Sequence, residues 1–133
     1  MERAFVDTSA WFAYADRRDR DHKIVRGALR DHEGRLVTSS YVFDEVVTLC
    51  RYRLGHEAAL VVGQVLFDAD VVDLVRVTVD DELAAWELFA AREDKEYSFT
   101  DCISFVLMRR LGIEVAVAVD DDFTQERFEV IPR

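Results

Sequence analysis

The sequence predicts an α/β fold, a three-layer α/β/α sandwich around a mostly parallel central sheet. Short apolar segments rich in β-branched residues alternate along the chain with longer segments that have the apolar spacing of helices. Such alternation is typical of parallel sheets, because each crossover between parallel strands requires a long connection, usually a helix. The chain has 133 residues, half of them hydrophobic, and we expect residues 1–133 to form a single domain.

The first half of the chain predicts two strands and four helices. A short apolar run at residues 3–7 predicts the first strand, and the hydroxyls of Thr8 and Ser9 are candidates to cap the helix that follows. The remaining elements are a polar helix at 19–31, a strand at 36–38, a helix capped by Ser39 or Ser40 and closed by Gly55, and an apolar helix at 56–69.

The second half predicts three more strands. Residues 71–77 are apolar and β-branched, which favours a strand, and Thr78 is placed to cap an amphipathic helix after it. Ser98 or Thr100 opens a helix that ends at Gly112. The last elements are a fourth strand at 114–119, a short helical turn, and a fifth strand at 128–131.

Charge excludes some functions. Seventeen basic and 27 acidic residues give a net charge of −10, which argues against a protein that coats nucleic acid by neutralising phosphates. It does not argue against a nuclease, since bound cations reverse the local sign of a carboxylate cluster. No glycine-rich phosphate loop is present, so a P-loop nucleotide enzyme is excluded.

The cysteines and histidines do not suggest a catalytic or zinc site. Cys50 and Cys102 lie on separate predicted helices, and we expect them to be reduced core thiols. His22, His32 and His56 lack ligand-type spacing and are expected at the surface, so neither a zinc site nor a Ser/His/Asp triad is predicted. No apolar run is long enough for a membrane span or a secretory signal, and we expect a cytoplasmic protein with no membrane partner.

Four acidic residues occupy positions that the predicted fold brings to one edge. Asp7 follows the first strand and Asp120 the fourth, and ligands of open α/β sheets bind at the carboxyl ends of the strands. Asp101 begins the helix that descends into the fourth strand, which places it at the same edge. Glu45 lies in the second turn of the helix after the second strand, among apolar neighbours, whereas Asp44 is expected to be an ordinary surface acid.

Carboxylates at one edge repel one another, since two unit charges about 4 Å apart cost about 4 kcal/mol at an effective dielectric of about 20. Such a cluster is stable when it holds protons or cations, and hard oxygen ligands suit Mg²⁺ or Mn²⁺. A bound cation can orient water, lower its pKa and stabilise the charge on a phosphodiester. Together the acids predict metal-dependent phosphodiester hydrolysis, although each alone is equally compatible with a helix cap or a turn.

Four segments carry a family resemblance that covers essentially the whole chain. They are FVDTSAW at 5–11, SSYVFDE at 39–45, SFTDC at 98–102, and VAVDDDF at 117–123 followed by FEV at 128–130. In this order they resemble the acidic motifs of PIN-domain nucleases. The resemblance implies an α/β/α sandwich and Mg²⁺- or Mn²⁺-dependent cleavage of RNA.

The same resemblance assigns the metal-binding, catalytic acids to Asp7, Glu45, Asp101 and Asp120. The run of three aspartates leaves one alternative open, in which Asp122 shares or replaces the role of Asp120. The supporting hydroxyls are Thr8, Ser9 and Thr100, which either hydrogen-bond carboxylates and water or cap helices.

Among PIN proteins the short chain most resembles VapC toxins, which are usually homodimers neutralised by a VapB antitoxin. The first helix carries Trp11, Phe12 and Tyr14, of which we expect two to be buried against the sheet. The remainder, with the helices at 41–54 and 56–69, is expected to form a face for the antitoxin or a second copy. The resemblance also implies that the antitoxin brings an arginine to the acidic site.

Three functions other than a toxin share parts of this pattern. A phosphoryl-transfer enzyme with Asp7 as nucleophile, of the haloacid-dehalogenase type, has a second aspartate where this chain has Ser9. An RNA-maturation nuclease of the same fold is not distinguished by the sequence. A noncatalytic RNA-binding or scaffold module is disfavoured, because all four acids are present.

Overall fold

The elements of the computed structural model, which describes residues 2–132, follow the predicted order. The strands are β1 (Ala4–Val6), β2 (Leu36–Ser39), β3 (Val72–Val75), β4 (Val115–Val117) and β5 (Glu129–Ile131). The helices are α1 (Thr8–Ala15), α2 (His22–Asp31), α3 (Ser40–Arg53), α4 (His56–Phe67), α5 (Val79–Ala91), α6 (Phe99–Leu111) and α7 (Asp122–Gln125). No helix in the described part of the chain is long and apolar enough to cross a membrane.

The sheet confirms the predicted α/β/α class, and all five of its strands are parallel. The strand order is β3-β2-β1-β4-β5, so the chain builds outward from β1 in one direction and then resumes on its other side with β4. Such a reversal leaves a crevice outside the carboxyl ends of the two strands that flank it. In this fold the crevice lies beyond the ends of β1 and β4.

The core packs most tightly around the three central strands. Every residue of β1, β2 and β4 is buried, whereas the edge strands β3 and β5 are partly exposed. The fully buried Trp11 of α1 donates from Nε1 to Thr38 Oγ1 of β2 at 3.2 Å, and this hydroxyl donates to the carbonyl of Val6 at 3.0 Å. These two bonds hold the start of α1 against the sheet. Cys50 and Cys102 are buried free thiols, as predicted.

The residues predicted to begin or end helices are confirmed at α3 and α6 and are wrong at α1. Ser39 caps α3 through the Val42 amide, and Gly112 ends α6 in the left-handed conformation, both as predicted. The cap of α1 is Asp7 rather than Thr8 or Ser9, because its carboxylate accepts the Ser9 amide hydrogen. The Asp7 carboxylate thus satisfies an amide at the start of α1 that has no partner within the helix, a role that was predicted for a hydroxyl of Thr8 or Ser9.

The polar helix after α1 begins later than predicted, at His22 instead of residue 19. The backbone before it is held in turns, since the carboxylate of Asp16 accepts the Arg18 amide hydrogen and that of Asp19 accepts the Asp21 amide hydrogen. Short aspartate side chains stabilise such turns in competition with helix.

Two of the histidines predicted at the surface are instead half-buried. His22 donates from Nδ1 to the carbonyl of Ala13, and His32 donates from Nε2 to the carbonyl of Glu2, each at 2.8 Å. His56 is exposed, as expected. The acceptors lie nine and thirty residues away in sequence, so helical periodicity could not reveal them.

Two buried carboxylates that were not predicted from the sequence join the last helices. Glu126, after α7, accepts hydrogen bonds from Arg92, Arg109 and Tyr97 at 2.9–3.3 Å. Burial alone would raise the pKa of Glu126, but these donors outweigh it and lower the pKa to about 2. Asp81 in α5 is likewise buried and accepts two hydrogen bonds from Arg110 of α6, at 2.8 and 2.9 Å.

Replacing Glu126 with glutamine should destabilise the protein by about 2 kcal/mol at pH 7, because Arg92 and Arg109 lose their charged partner. This loss is limited by solvent screening, since both arginine side chains are partly exposed. A depressed carboxyl pKa stabilises the fold above the unfolded value and loses this effect as pH falls. The difference from wild type should therefore shrink from about pH 4.5 toward pH 2. Urea unfolding across this range measures it, with exposed Glu93→Gln as control; a pH-independent difference would contradict the charge-based explanation.

Candidate active site at the carboxyl ends of β1 and β4

Asp7 is the most buried acid at the crevice, with 3% of its surface exposed. Its backbone amide donates to the carbonyl of Val117, the last residue of β4, at 3.0 Å. This hydrogen bond places Asp7 at the crevice beyond β1 and β4. Oδ2 accepts from the Ser9 amide at 3.2 Å and from Ser9 Oγ at 2.6 Å. Burial raises the pKa of Asp7 to about 7, against the lowering effect of Ser9, and the charges of Asp120 and Asp101 add to the rise.

Asp101 belongs to the first turn of α6 and lies half-buried beside the same charges. Its Oδ2 accepts the Ser98 amide hydrogen at 2.9 Å, while Ser98 Oγ accepts the Asp101 amide hydrogen at 3.0 Å, which completes a capping box. Burial raises the pKa of Asp101 despite these bonds, and Asp120 and Glu45 raise it further. Asp101 is therefore both a helix cap and a member of the group of like-charged carboxylates.

Asp120 and Asp122 both belong to this group of acids. Asp120 lies in the turn after β4, because the strand ends at Val117 instead of 119 as predicted, and its Oδ1 accepts the Asp122 amide hydrogen at 3.3 Å. Burial raises the pKa of Asp120, as does its neighbour Asp121. Burial and the charges of Asp120 and Asp101 raise the pKa of Asp122 to about 6. The choice between Asp120 and Asp122 as the fourth acid stays a prediction.

Glu45 approaches the cluster from α3. It is half-buried, and its charge contributes to the raised pKa of Asp101. It lines a surface depression of about 390 Å³ together with Thr100, the residue before Asp101. Asp44 is exposed, in agreement with its interpretation as a surface acid.

The three hydroxyls named from sequence differ in their surroundings. Ser9 Oγ donates to Asp7 and accepts the Val119 amide hydrogen at 3.2 Å, so it joins the end of β1 to the turn that carries Asp120. Thr8 Oγ1 is buried and has no hydrogen-bond partner among the described residues. Thr100 borders the depression beside Glu45. Their roles at a metal site stay predictions.

The fit of a divalent cation rests on donor chemistry and electrostatics. Within residues 2–132, no three His, Cys, Asp or Glu side chains form a ready-made ligand group. The side chains that couple at the crevice are carboxylates, hard oxygen donors of the kind that Mg²⁺ and Mn²⁺ prefer. Their raised pKa values reflect uncompensated burial and like charge, both of which a cation would offset. The donor set therefore fits such an ion.

A groove lies on the other side of α1. Trp11 is buried, whereas Phe12 and Tyr14 are half-buried, so the aromatic helix keeps part of its surface open. Tyr14 lines a groove of about 900 Å³ together with Arg17, Arg26 and apolar residues of α4, including Val61 and Val62. The predicted face combined α1 with the helices at 41–54 and 56–69, and the groove involves α1, α4 and Leu54 at the end of α3, as well as α2. The prediction that two of the three aromatic residues are buried is wrong, because only Trp11 is buried.

Comparison with known proteins agrees with the geometry. The chain matches the PIN domain over residues 4–128. It is 38% identical over 129 residues to the 23S rRNA-specific endonuclease VapC20 of Mycobacterium tuberculosis, with 96% of this chain and 98% of that protein covered. It is also 29% identical over 126 residues to a VapC ribonuclease of Archaeoglobus fulgidus, with 91% and 79% covered.

Solved structures give the same result. The crystal structure of Mycobacterium tuberculosis VapC20, a sarcin–ricin loop cleaving toxin, superposes with a TM-score of 0.90 at 37% identity, over 94% of this chain and 95% of that one. DNA-bound VapBC from Salmonella typhimurium shares the fold, with a TM-score of 0.72 at 14% identity over 98% and 97%. The chain therefore belongs to the PIN-domain family, and within it is a VapC-like ribonuclease toxin.

Proposed function

We propose that the chain is a Mg²⁺- or Mn²⁺-dependent endoribonuclease that hydrolyses a phosphodiester bond in the sarcin–ricin loop of 23S rRNA. The observation that carries the proposal is the electrostatically coupled group of Asp7, Asp101 and Asp120 at the crevice beyond β1 and β4. The choice of RNA is supported by the 38% identity to VapC20, whose named substrate is 23S rRNA. A noncatalytic module would have no need to keep these like charges together.

In this proposal Asp7, Asp101 and Asp120 or Asp122 hold the cation, and Glu45 completes the site. When bound, the cation supplies charge stabilisation and a lowered pKa for water. Ser9 holds the Asp7 carboxylate in place, and Glu45 accepts a hydrogen bond from the attacking water. The attacking water forms a new bond to phosphorus as the bond from phosphorus to the ribose oxygen breaks. The proton of the water passes to the surrounding carboxylates or solvent, and the departing ribose oxygen takes up a proton from solvent.

The proposal includes two protein partners in the cytoplasm. A VapB-like antitoxin segment is proposed to occupy the groove beside Tyr14, which offers apolar α4 residues and the cations Arg17 and Arg26. A homodimer is the expected assembly, supported by the exposed apolar residues Val79, Leu83 and Trp86 along one side of α5. Sedimentation velocity on the purified protein tests the dimer.

Replacing Asp101 with asparagine should reduce cleavage of a synthetic sarcin–ricin hairpin in Mg²⁺ by about 100-fold or more, because a charged donor oxygen is lost. The asparagine oxygen can still accept the Ser98 amide hydrogen, so the circular dichroism spectrum should be unchanged. Asp44→Asn, an exposed acid on α3, is the matched control and should cleave normally. Equal activity of Asp101→Asn and wild type would reject the proposed role.

Replacing Asp7 with asparagine should raise the Tm of metal-free protein at pH 8 by about 5 °C. Since the folded-state pKa of Asp7 is raised to about 7, its ionisation destabilises the fold progressively from about pH 4 to pH 7. The gain should therefore be small at pH 4.5, and it should shrink at pH 8 when saturating Mg²⁺ stabilises the wild type. Differential scanning calorimetry measures both effects, and a gain that is equal at the two pH values would contradict this account.

The antitoxin is expected to inhibit by charge as well as coverage. Replacing its active-site arginine with alanine should restore nuclease activity more than it weakens complex formation, because a fixed cation no longer competes with metal for the carboxylates. Hairpin cleavage and calorimetric titration of the complex measure the two quantities. Full inhibition by the alanine variant would favour steric masking instead.

A further inference from the structure

Tyr52, in the last turn of α3, is an aromatic side chain that contributes little to the fold. It is 83% exposed, more than any other large hydrophobic residue among those described. Within the described residues its ring contacts no other aromatic ring and its hydroxyl makes no hydrogen bond. A tyrosine left open in this way is available to a ligand, since its ring offers a large apolar face with a polar tip.

The surface around Tyr52 is continuous with the acidic site. Tyr52 borders the depression of about 390 Å³ that Glu45 and Thr100 also line. It borders a second depression of about 260 Å³, on the side of α4, with His56 and Leu60. The tyrosine thus lies between two depressions, one of which is also lined by Glu45 and by Thr100, the residue before Asp101.

An arginine accompanies the tyrosine in each depression. Arg53 lines the one shared with Glu45, and Arg51 lines the other. The guanidinium of Arg53 lies 5.6 Å from the centre of the Phe12 ring, a cation–π contact that limits its motion. Although the chain has a net charge of −10, these two arginines provide local positive charge that can attract phosphates.

The spacing along α3 suits a strand of RNA. Glu45 and Tyr52 are two helical turns apart on one side of the helix, about 10 Å along its axis. A short stretch of single-stranded RNA can span this distance with one phosphate at the acids and a base at Tyr52. Thr48, which lines the same depression, offers a hydroxyl to the edge of that base.

We propose that Tyr52 is a stacking platform for a nucleobase of the substrate beside the cleaved phosphodiester, with Arg51 and Arg53 binding the neighbouring phosphates. The inference rests on the proposed ribonuclease function and adds a base-binding subsite to it. Proteins bind unpaired RNA in this way, with bases stacked on aromatic side chains and arginines along the backbone. RNA is favoured over a second protein copy, because the cations and the acidic site adjoin the ring.

Binding of a labelled oligouridylate, measured by fluorescence anisotropy in EDTA to prevent cleavage, tests the platform. Tyr52→Ala should raise Kd about tenfold, within the range for loss of one base–aromatic stack. Tyr52→Phe should bind like wild type, because the ring is kept. Phe67→Ala removes an aromatic side chain that is 59% exposed at the end of α4 and borders neither depression, and it should leave Kd unchanged.

An abasic oligoribose phosphate of the same length identifies the partner of the ring. Wild type should bind it about tenfold more weakly than oligouridylate. Tyr52→Ala should bind both oligomers alike, because removing the base and removing the ring abolish the same stacking interaction. If Tyr52→Ala still distinguishes the two oligomers as wild type does, the proposal is overturned. If, in addition, this variant changes the sedimentation coefficient of RNA-free protein, the surface around Tyr52 belongs to a second copy.

The assay separates this inference from the proposed function, because binding in EDTA requires no catalysis. Base binding that depends on Tyr52 in a protein without Mg²⁺-dependent cleavage would contradict the nuclease proposal alone. Cleavage of the hairpin without any effect of Tyr52→Ala on oligouridylate binding would contradict the subsite alone.

Discussion

Like-charge repulsion at the carboxyl ends of β1 and β4 is the constraint that the surrounding structure must withstand. Asp7 cannot move away, because its backbone is bonded to β4 and its carboxylate to Ser9. The buried bonds from Trp11 to Thr38 and from Thr38 to β1 hold α1 against the same edge. The hydrophobic core thus stabilises an arrangement of charges that would separate in a free peptide.

The acids of this protein fall into two electrostatic classes. Asp81 and Glu126 are buried beside arginines, and their pKa values are lowered. Asp7 and Asp101 form no salt bridge with any described residue, and burial together with neighbouring carboxylates raises their pKa values. The fold supplies arginines to one class and not to the other, which supports the proposal that the second class holds a cation from outside the chain.

In the proposed function, helix α3 connects the acidic site to the site of base binding. Its first half carries Glu45 toward the acids, and its last turn carries Tyr52 and Arg53 at the far end of the same depression. A rigid helix keeps these groups at a constant separation, which a loop could not do. Under the proposed function, a chain of net charge −10 would bind RNA through local groups, with Arg51 and Arg53 near the carboxylate cluster.

The sequence by itself determined the alternation of strands and helices, and it narrowed the caps of α3 and α6 to two residues each, because these depend on short-range spacing. Strand ends also placed Asp7 and Asp120 at one edge of the sheet. Tertiary structure decided what depends on distant partners. Glu126 meets Arg92 across thirty-four residues, and Ser9 meets Val119 across 110, so no local pattern could pair them. The exposure of Tyr52 also depends on tertiary structure, since its position on α3 is compatible with a buried or an exposed face. The packing of α1 and α4 against α3 leaves Tyr52 uncovered.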